Sequence, residues 1–319
     1  MNAMVFCAGL GTRMRPYTDR LPKPAMPLFG RPLIGHTLRW LASCGVTRTV
    51  INVHHQADVM RRVAQQSRPE GMSLVFSDEP EILGTGGALV AARQHFADDA
   101  PVLVVNGDAF LSLDVTEALA MHAAFKPGAT LVLTDDPRHE ALFGVGCDGE
   151  GRVTDFWGAP SGDRAVARHA YTGIHILSPS FIDALPQQGF ACVKEAGWIP
   201  WLEAGRELRC VVAAGDWFDL GTPERYLAAH RELWPRAGAL SGLREVEAGV
   251  FSAEPLPPEL TVTGPAVLGA RLIVEGPASV GPGTVIGRNV VLPEGAQLSG
   301  AVVWDGSTVV VGADSGIMV

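Results

Sequence analysis

No CxxC pair occurs in this sequence. Its five cysteines, Cys7, Cys44, Cys147, Cys192 and Cys210, are odd in number and scattered, which argues against a structural zinc site or a disulfide framework and for a reducing compartment. Basic residues are also short: 25 Lys and Arg stand against 34 Asp and Glu, for a formal charge of −9. That is the wrong sign for a surface that neutralises the many phosphates of a nucleic acid. A small phosphorylated ligand needs only a local positive spot. The start, MNAMVFCAGLG, lacks a basic n-region, and its apolar run is too short for a signal or a membrane span. The expectation is therefore a cytoplasmic protein with no membrane and no nucleic-acid partner.

What is present is a globular composition, 47% hydrophobic and 18% charged, with 37 Gly and 23 Pro to make turns. At 319 residues the length suggests two domains, or one with an appendage. Up to about Trp234, short apolar runs alternate with helical stretches, the pattern of an α/β layered domain. Met4 to Ala8, Thr49 to Val53, Val102 to Val105 and Ala129 to Leu133 read as buried strands, and Leu33 to Cys44 as a helix stopped by Gly45.

Past Trp234 the texture changes. A breaker-rich stretch reads as a linker, giving an expected division into 1–236, 237–259 and 260–319. Val262, Leu268, Val274, Val280, Ile286, Leu292 and Leu298 then recur at a constant step of six, with Trp304 and Val310 in the same phase. Gly269, Gly281 and Gly287 follow the aliphatic position directly. Such hexads coil into a triangular parallel β-helix, each flat side giving one inward aliphatic and each corner a small residue. In families that carry them the coil is left-handed, against the usual crossover rule.

The first strand runs into Ala8-Gly9-Leu10-Gly11-Thr12-Arg13-Met14, where backbone N–H groups of a glycine-rich turn can face an anion. Met14 stands where a dinucleotide fingerprint has its third glycine, and GxxxxGK is absent, so neither a Rossmann fingerprint nor a P-loop is present. Arg13 adds a fork of donors suited to phosphate oxygens. Leu21-Pro22-Lys23-Pro24 then sets one lysine between two prolines, which predicts extended backbone holding the ammonium in place.

Together, AGLGTRMRPYTDRLPKPAMPLFGRPLI resembles the opening signature of the sugar-1-phosphate nucleotidyltransferases, which make NDP-sugars. The resemblance implies a Rossmann-like α/β nucleotidyltransferase domain with a mixed, mostly parallel sheet, followed here by the short left-handed β-helix. It implies that Ala8, Gly9, Leu10, Gly11 and Thr12 wrap the triphosphate with Arg13, and that Lys23 neutralises charge on the α-phosphate. Glu79-Pro80-Glu81-Ile82-Leu83-Gly84-Thr85-Gly86-Gly87 looks like the base-binding segment, with Glu79, Gly84 and Thr85 on the nucleotide. A helix N-terminus is the other reading of that stretch. A carboxylate at the base edge offers only acceptors, which suits uracil or guanine, hence UTP or GTP.

Asp108 follows the strand Val102 to Val105, and ligands collect at the carboxyl ends of strands in open α/β sheets. Asp216-Trp217-Phe218-Asp219-Leu220-Gly221-Thr222-Pro223 matches the family's second acidic signature, with Thr222 and Pro223 fitting an N-cap and first helical position. Asp108 and Asp219 are the expected magnesium ligands. Asn106, Gly144, Gly173 and Lys194 fall to the sugar side, Lys194 on the phosphate. Where many relatives carry Glu-Lys-Pro, this chain has Phe156-Trp157-Gly158-Ala159-Pro160 and no lysine. His54-His55 is not read as a metal pair, because adjacent side chains on a strand point to opposite faces.

Among members, the resemblance favours mannose-1-phosphate guanylyltransferases, with N-acetylmuramate-1-phosphate uridylyltransferases and heptose-1-phosphate guanylyltransferases as alternatives. An acetyltransferase in the β-helix lacks its histidine base, since all nine histidines lie at or before His230. A non-catalytic nucleotide-sugar-binding subunit would have lost charges that Arg13, Lys23, Asp108 and Asp219 retain. The short coil is read as an assembly or regulatory element, with Val309 to Val311 and Ile317 to Val319 as a surface for a homo-oligomer.

Overall fold

The computed structural model describes residues 1–97, 99–160 and 165–319. They gather into two compact units. One holds residues 1–10, 22–24 and 37–217, the other 11–21, 25–36 and 218–319.

The first unit is built on a nine-stranded sheet. Its strands are β1 (Asn2–Phe6), β2 (Arg48–Val53), β3 (Ser73–Asp78), β4 (Val102–Asn106), β5 (Ala129–Thr134), β6 (Phe143–Cys147), β7 (Val153–Phe156), β8 (Ala167–Leu177) and β9 (Arg209–Val212). The spatial order is β7-β6-β8-β4-β1-β2-β3, with β5 pairing β8 and β9. From β4 to β3 all neighbours are parallel, whereas β8 runs antiparallel to β4, β5 and β6. Strands buried on both faces read as unbroken apolar runs. β5 is buried along its whole length and β4 at four of its five residues, and both had been expected within a residue of their ends.

Helices α1 (Leu33–Ser43), α2 (Ala57–Gln66), α3 (Gly84–Ala92) and α4 (Thr116–Phe125) alternate with these strands. α1 stops as its sequence implies. Gly45 takes φ 80°, and the N–H of Val46 returns to the Leu41 carbonyl at 3.0 Å, satisfying a carbonyl the helix leaves open. The main core lies between helices and sheet, around Met4, Leu89, Val104, Leu131 and Trp198. No helix among the described residues is long and apolar enough to cross a membrane.

In the second unit, α5 (Pro223–Glu232) has Thr222 as its N-cap and Pro223 in its first turn, as expected. Tyr226 and His230 on its buried face reach back to residues 25–36, the tyrosine hydroxyl to the Pro27 carbonyl. The 237–259 stretch carries a helix at Ala237–Ser241 and an antiparallel pair, Arg244–Glu247 with Val250–Ser252.

The hexads follow. Val262, Leu268, Val274, Val280, Ile286, Leu292 and Leu298 each end a short strand. The strands stack in parallel on three ladders, one from Val250–Ser252 to Gly316–Met318, a second through Leu260–Val262 and a third through Ile273–Val274. Three parallel stacks are what a β-helix produces, and their aliphatics share one core. At Gly269 any Cβ would run into the Gly287 backbone of the next coil, so the stacking itself demands glycine. The phase departs from the sequence reading after Leu298. Leu268 lies opposite Ile286, eighteen residues on, but Ile286 faces Val303, one residue sooner. Val303 and Val309 therefore fill the core, and Val310 is 70% exposed.

Candidate active site

In the first unit the parallel strands β1, β2, β3 and β4 deliver their carboxyl ends to one edge of the sheet. Phe6 lies beside Asn52 and Asn106, and Asn52 beside Ser77. The segments Cys7 to Leu10, His54, Glu79 and Asn106 to Asp108 all leave from that edge, where ligands of open α/β sheets collect.

A short network fixes them. The Cys7 N–H donates to Asn52 Oδ1 at 2.8 Å, Asn52 Nδ2 donates to Glu79 Oε1 at 2.6 Å, and Glu79 Oε2 accepts the Leu83 N–H at 3.0 Å. His54 Nδ1 meets the Glu79 carbonyl at 2.8 Å. Glu79 is 4% exposed, so each carboxylate oxygen already accepts one bond within the unit. Burial, and then the Asp108 carboxylate, push the Cys7 thiol up. It stays protonated and is no nucleophile.

Lys23 and Asp108 form the charged centre of this edge. Lys23 is 5% exposed, and its Nζ donates to Asp108 Oδ2 at 2.9 Å, the Asp108 side chain remaining 42% exposed. Lys23 opens a single 3-10 turn, Lys23–Ala25, rather than the extended backbone its flanking prolines led one to expect. Pairing with Asp108 compensates the buried ammonium. Gly107 lets β4 end this close to β1: its N–H donates to the Phe6 carbonyl at 3.0 Å, and a Cβ there would lie 2.7 Å from that oxygen.

The glycines of the nucleotide segments differ in origin. A Cβ on Gly9 would meet no protein atom within 4 Å, so packing within the protein gives no reason for glycine there. Ala8 beside it is buried, and Leu10 is 40% exposed. Gly84 is the opposite case. It opens α3 at φ 69°, and its Cβ would lie 2.6 Å from the Ala191 carbonyl, which also accepts the Gly86 N–H at 2.8 Å. Thr85 Oγ1 accepts the Val193 N–H at 3.0 Å. The glycines of 84–87 thus accommodate residues 189–193, and the segment opens a helix.

On the sugar side, Gly173 sits at φ 81° in a register shift of β8, and a Cβ there would lie 2.7 Å from the Asn106 side chain. Gly144 is covered by the Trp157 ring, into which a Cβ would project. Lys194 places its Nζ 5.1 Å from the centroid of that ring.

In the second unit, Gly11 takes a left-handed conformation before the 3-10 turn Thr12–Met14, and its carbonyl accepts the Met14 N–H and the Thr18 hydroxyl. Arg13 is exposed. A Cβ on Gly221 would lie 3.1 Å from an Arg13 guanidinium nitrogen and 2.9 Å from Asp219 Oδ1. Of the expected groups, Lys23 pairs with Asp108, while Arg13 and Asp219 both border Gly221 and the ion pair of Asp219 is with Arg225. Among the described residues no three His, Cys, Asp or Glu side chains converge as a metal cluster.

Three residues of these surroundings escaped the sequence reading: Asn52, Trp157 and Arg225. Asn52 left a signal, a polar residue inside the apolar run Val50 to Val53.

The nucleotidyl transferase family model matches residues 2–234. The chain belongs to that family. Among curated nucleotidyltransferases, the probable mannose-1-phosphate guanylyltransferase 1 of Oryza sativa subsp. japonica is 30% identical over 98% of this chain and 82% of its own length. The mannose-1-phosphate guanyltransferase of Candida albicans is 32% identical over 72% of this chain and 63% of its own length. A solved UDP-glucose pyrophosphorylase from Acinetobacter baumanii superposes with a TM-score of 0.63 at 18% identity, covering 76% of this chain and 96% of that one. At that identity the likeness speaks for the fold alone. The fold of this chain is thus shared with that structure.

Proposed function

We propose that the chain is a mannose-1-phosphate guanylyltransferase, forming GDP-mannose and pyrophosphate from GTP and mannose 1-phosphate. The observation that carries this reading is the Lys23–Asp108 pair at the carboxyl edge of the sheet, on the same edge as Gly9, which has open space around it. The guanylyltransferase relatives, aligned over most of the chain, support the choice of substrates.

In this reading a phosphate oxygen of the sugar phosphate attacks the α-phosphorus in line, the bond to the bridging oxygen breaks, and pyrophosphate leaves. No general base is needed, because a phosphate monoester with a second pKa of about 6 is already anionic. Lys23 gives one of its three N–H donors to Asp108 and keeps two for the α-phosphate. Arg13 clamps the triphosphate, Gly9 to Thr12 offer it backbone N–H groups, and Glu79, Gly84 and Thr85 flank the base. Asn106, Gly144, Gly173 and Lys194 receive the sugar phosphate. Such transfer asks mainly for positioning and charge stabilisation.

Asp108 and Asp219 would hold magnesium. Each keeps part of its carboxylate open to solvent, 42% and 22%, which suits an ion that takes one or two carboxylates and fills its remaining positions with water and phosphate. When bound it supplies neutralisation of phosphate charge. The three ladders support a β-helix for the hexads, read as left-handed from the hexad pattern, following a catalytic domain of residues 1–236 in the chain. The exposed Val310 and Val311 on the coil support self-association, and the chain is read as cytoplasmic.

Pyrophosphate release with four NTPs, each crossed with mannose-, glucose-, N-acetylglucosamine-, muramate- and heptose-1-phosphates, tests the proposal. Fastest turnover is expected with GTP and mannose 1-phosphate. A preference for another pair replaces the substrates, and no turnover with any pair in the presence of magnesium points to a non-catalytic nucleotide-sugar-binding subunit.

A further inference from the structure

Residues 156–159 form a two-residue hairpin turn. The Phe156 N–H donates to the Ala159 carbonyl at 2.7 Å, the Ala159 N–H returns to Phe156 at 3.1 Å, and both central residues have positive φ, 52° at Trp157 and 83° at Gly158. This turn type strongly prefers Asn-Gly, because both central residues must be left-handed. A tryptophan in the first position is a steric outlier.

The turn nevertheless holds firmly. Asp155, 0% exposed, accepts the Gly158 N–H at 2.7 Å and binds the Arg168 guanidinium through both oxygens, at 2.8 and 3.1 Å. The Trp157 N–H itself donates to the Gly144 carbonyl at 2.6 Å. Strain retained against a local preference, and held by a buried carboxylate that pairs with Arg168, points to use.

What the strained residue presents is specific. The residue is 58% exposed, and its indole rests on Gly144, where no side chain fits, with the Lys194 ammonium 5.1 Å from its ring centroid. A broad apolar ring face beside one cation complements a ligand with an apolar C–H face and an adjacent anion. A pyranose 1-phosphate has that shape.

We propose that Trp157 is the sugar platform of this enzyme: its indole carries the C–H face of the pyranose, and Lys194, held over the ring, takes the 1-phosphate. The platform stands where the sequence lacks the lysine expected in this hairpin. It is the feature that sets which sugar ring is accepted. This inference rests on the sugar-phosphate reading of the site.

The turn supplies its own control. Trp157→Asn installs the residue the turn favours, so a merely structural role predicts a protein at least as stable with unchanged kinetics. The platform predicts a KM for mannose 1-phosphate raised about tenfold or more, a KM for GTP within about twofold of wild type, and an unreduced Tm. Trp157→Phe, which keeps an aromatic face, is expected to recover most of the loss. An unchanged sugar-phosphate KM in Trp157→Asn overturns the platform, as does an equal rise in both KM values. If the wild type turns over no sugar 1-phosphate, the proposed function fails first. Binding then judges the platform: titration with mannose 1-phosphate must change the emission of wild type more than that of Trp157→Phe, and equal changes overturn it.

Discussion

An ammonium that is 5% exposed costs folding free energy unless a charge meets it, and Lys23 meets Asp108. A merely structural pair would have both partners enclosed, yet the Asp108 side chain is 42% exposed. Removing the lysine leaves a carboxylate that water can solvate, so the fold should survive Lys23→Ala. If Lys23 meets charge that builds up only during transfer, its loss lowers kcat by about 10²–10³ while the KM for GTP moves far less. Steady-state kinetics of the folded variant check this, and equal losses in both would count against a transition-state role. Lys23 stood out in the sequence between two prolines, Arg13 after a glycine-rich turn and Asp108 after a buried strand, and Asp219 through its resemblance to the family's second acidic signature. Asn52 and Arg225 were not: Asn52 acts through Glu79, 27 residues away, and Arg225 meets Asp219 only because the first turn of α5 folds back on it.

At the scale of elements, the parallel strands were legible because burial on both faces writes continuous apolar runs. The antiparallel strands β6, β7 and β8 were not, since Gly144, Gly146, Asp155 and Gly173 interrupt them and β8 bends at its register shift. The hexads were legible up to Leu298. Beyond it Val302, Val303 and Trp304 are three apolar residues in a row, so periodicity alone could not tell which points inward. The one-residue slip has a consequence within the second unit: Trp304, 4% exposed, lies 6.0 Å from the Tyr17 ring on the segment that carries Arg13. The coil therefore braces the Arg13 turn. Trp304→Ala should raise the KM for GTP roughly tenfold, equivalent to ~1.4 kcal/mol, with Trp304→Phe intermediate. A folded Trp304→Ala enzyme with wild-type GTP kinetics would show that the coil supports nothing catalytic.

For the whole molecule, acid stability is set in part by histidines that the fold keeps neutral. His230 accepts the Phe29 N–H on Nε2 and lies 3.0 Å from the Tyr226 carbonyl through Nδ1, and His122 lies between Thr130 and Ser178. Burial pulls both down to about 4, and His175, bonded to the Tyr171 hydroxyl, to about 3. The ordinary value, retained in the unfolded chain, is near 6.5. Above it neither state is protonated and these groups add no pH dependence. Below it the unfolded chain takes up protons that the folded chain refuses, so stability falls as pH drops from about 6.5 toward 4, and on toward 3 for His175. Each histidine contributes a slope of at most about 1.4 kcal/mol per pH unit, an upper bound set by one proton. Melting temperature is thus expected to be level from pH 8 to 7 and to decline steadily between pH 6 and 4.5. Because His230 and the other two lie in different compact units, His230→Gln should flatten the decline only in part. A melting temperature that holds constant down to pH 5 would mean that these imidazoles are protonated in the native protein, and that burial of neutral histidine is not what limits it in acid.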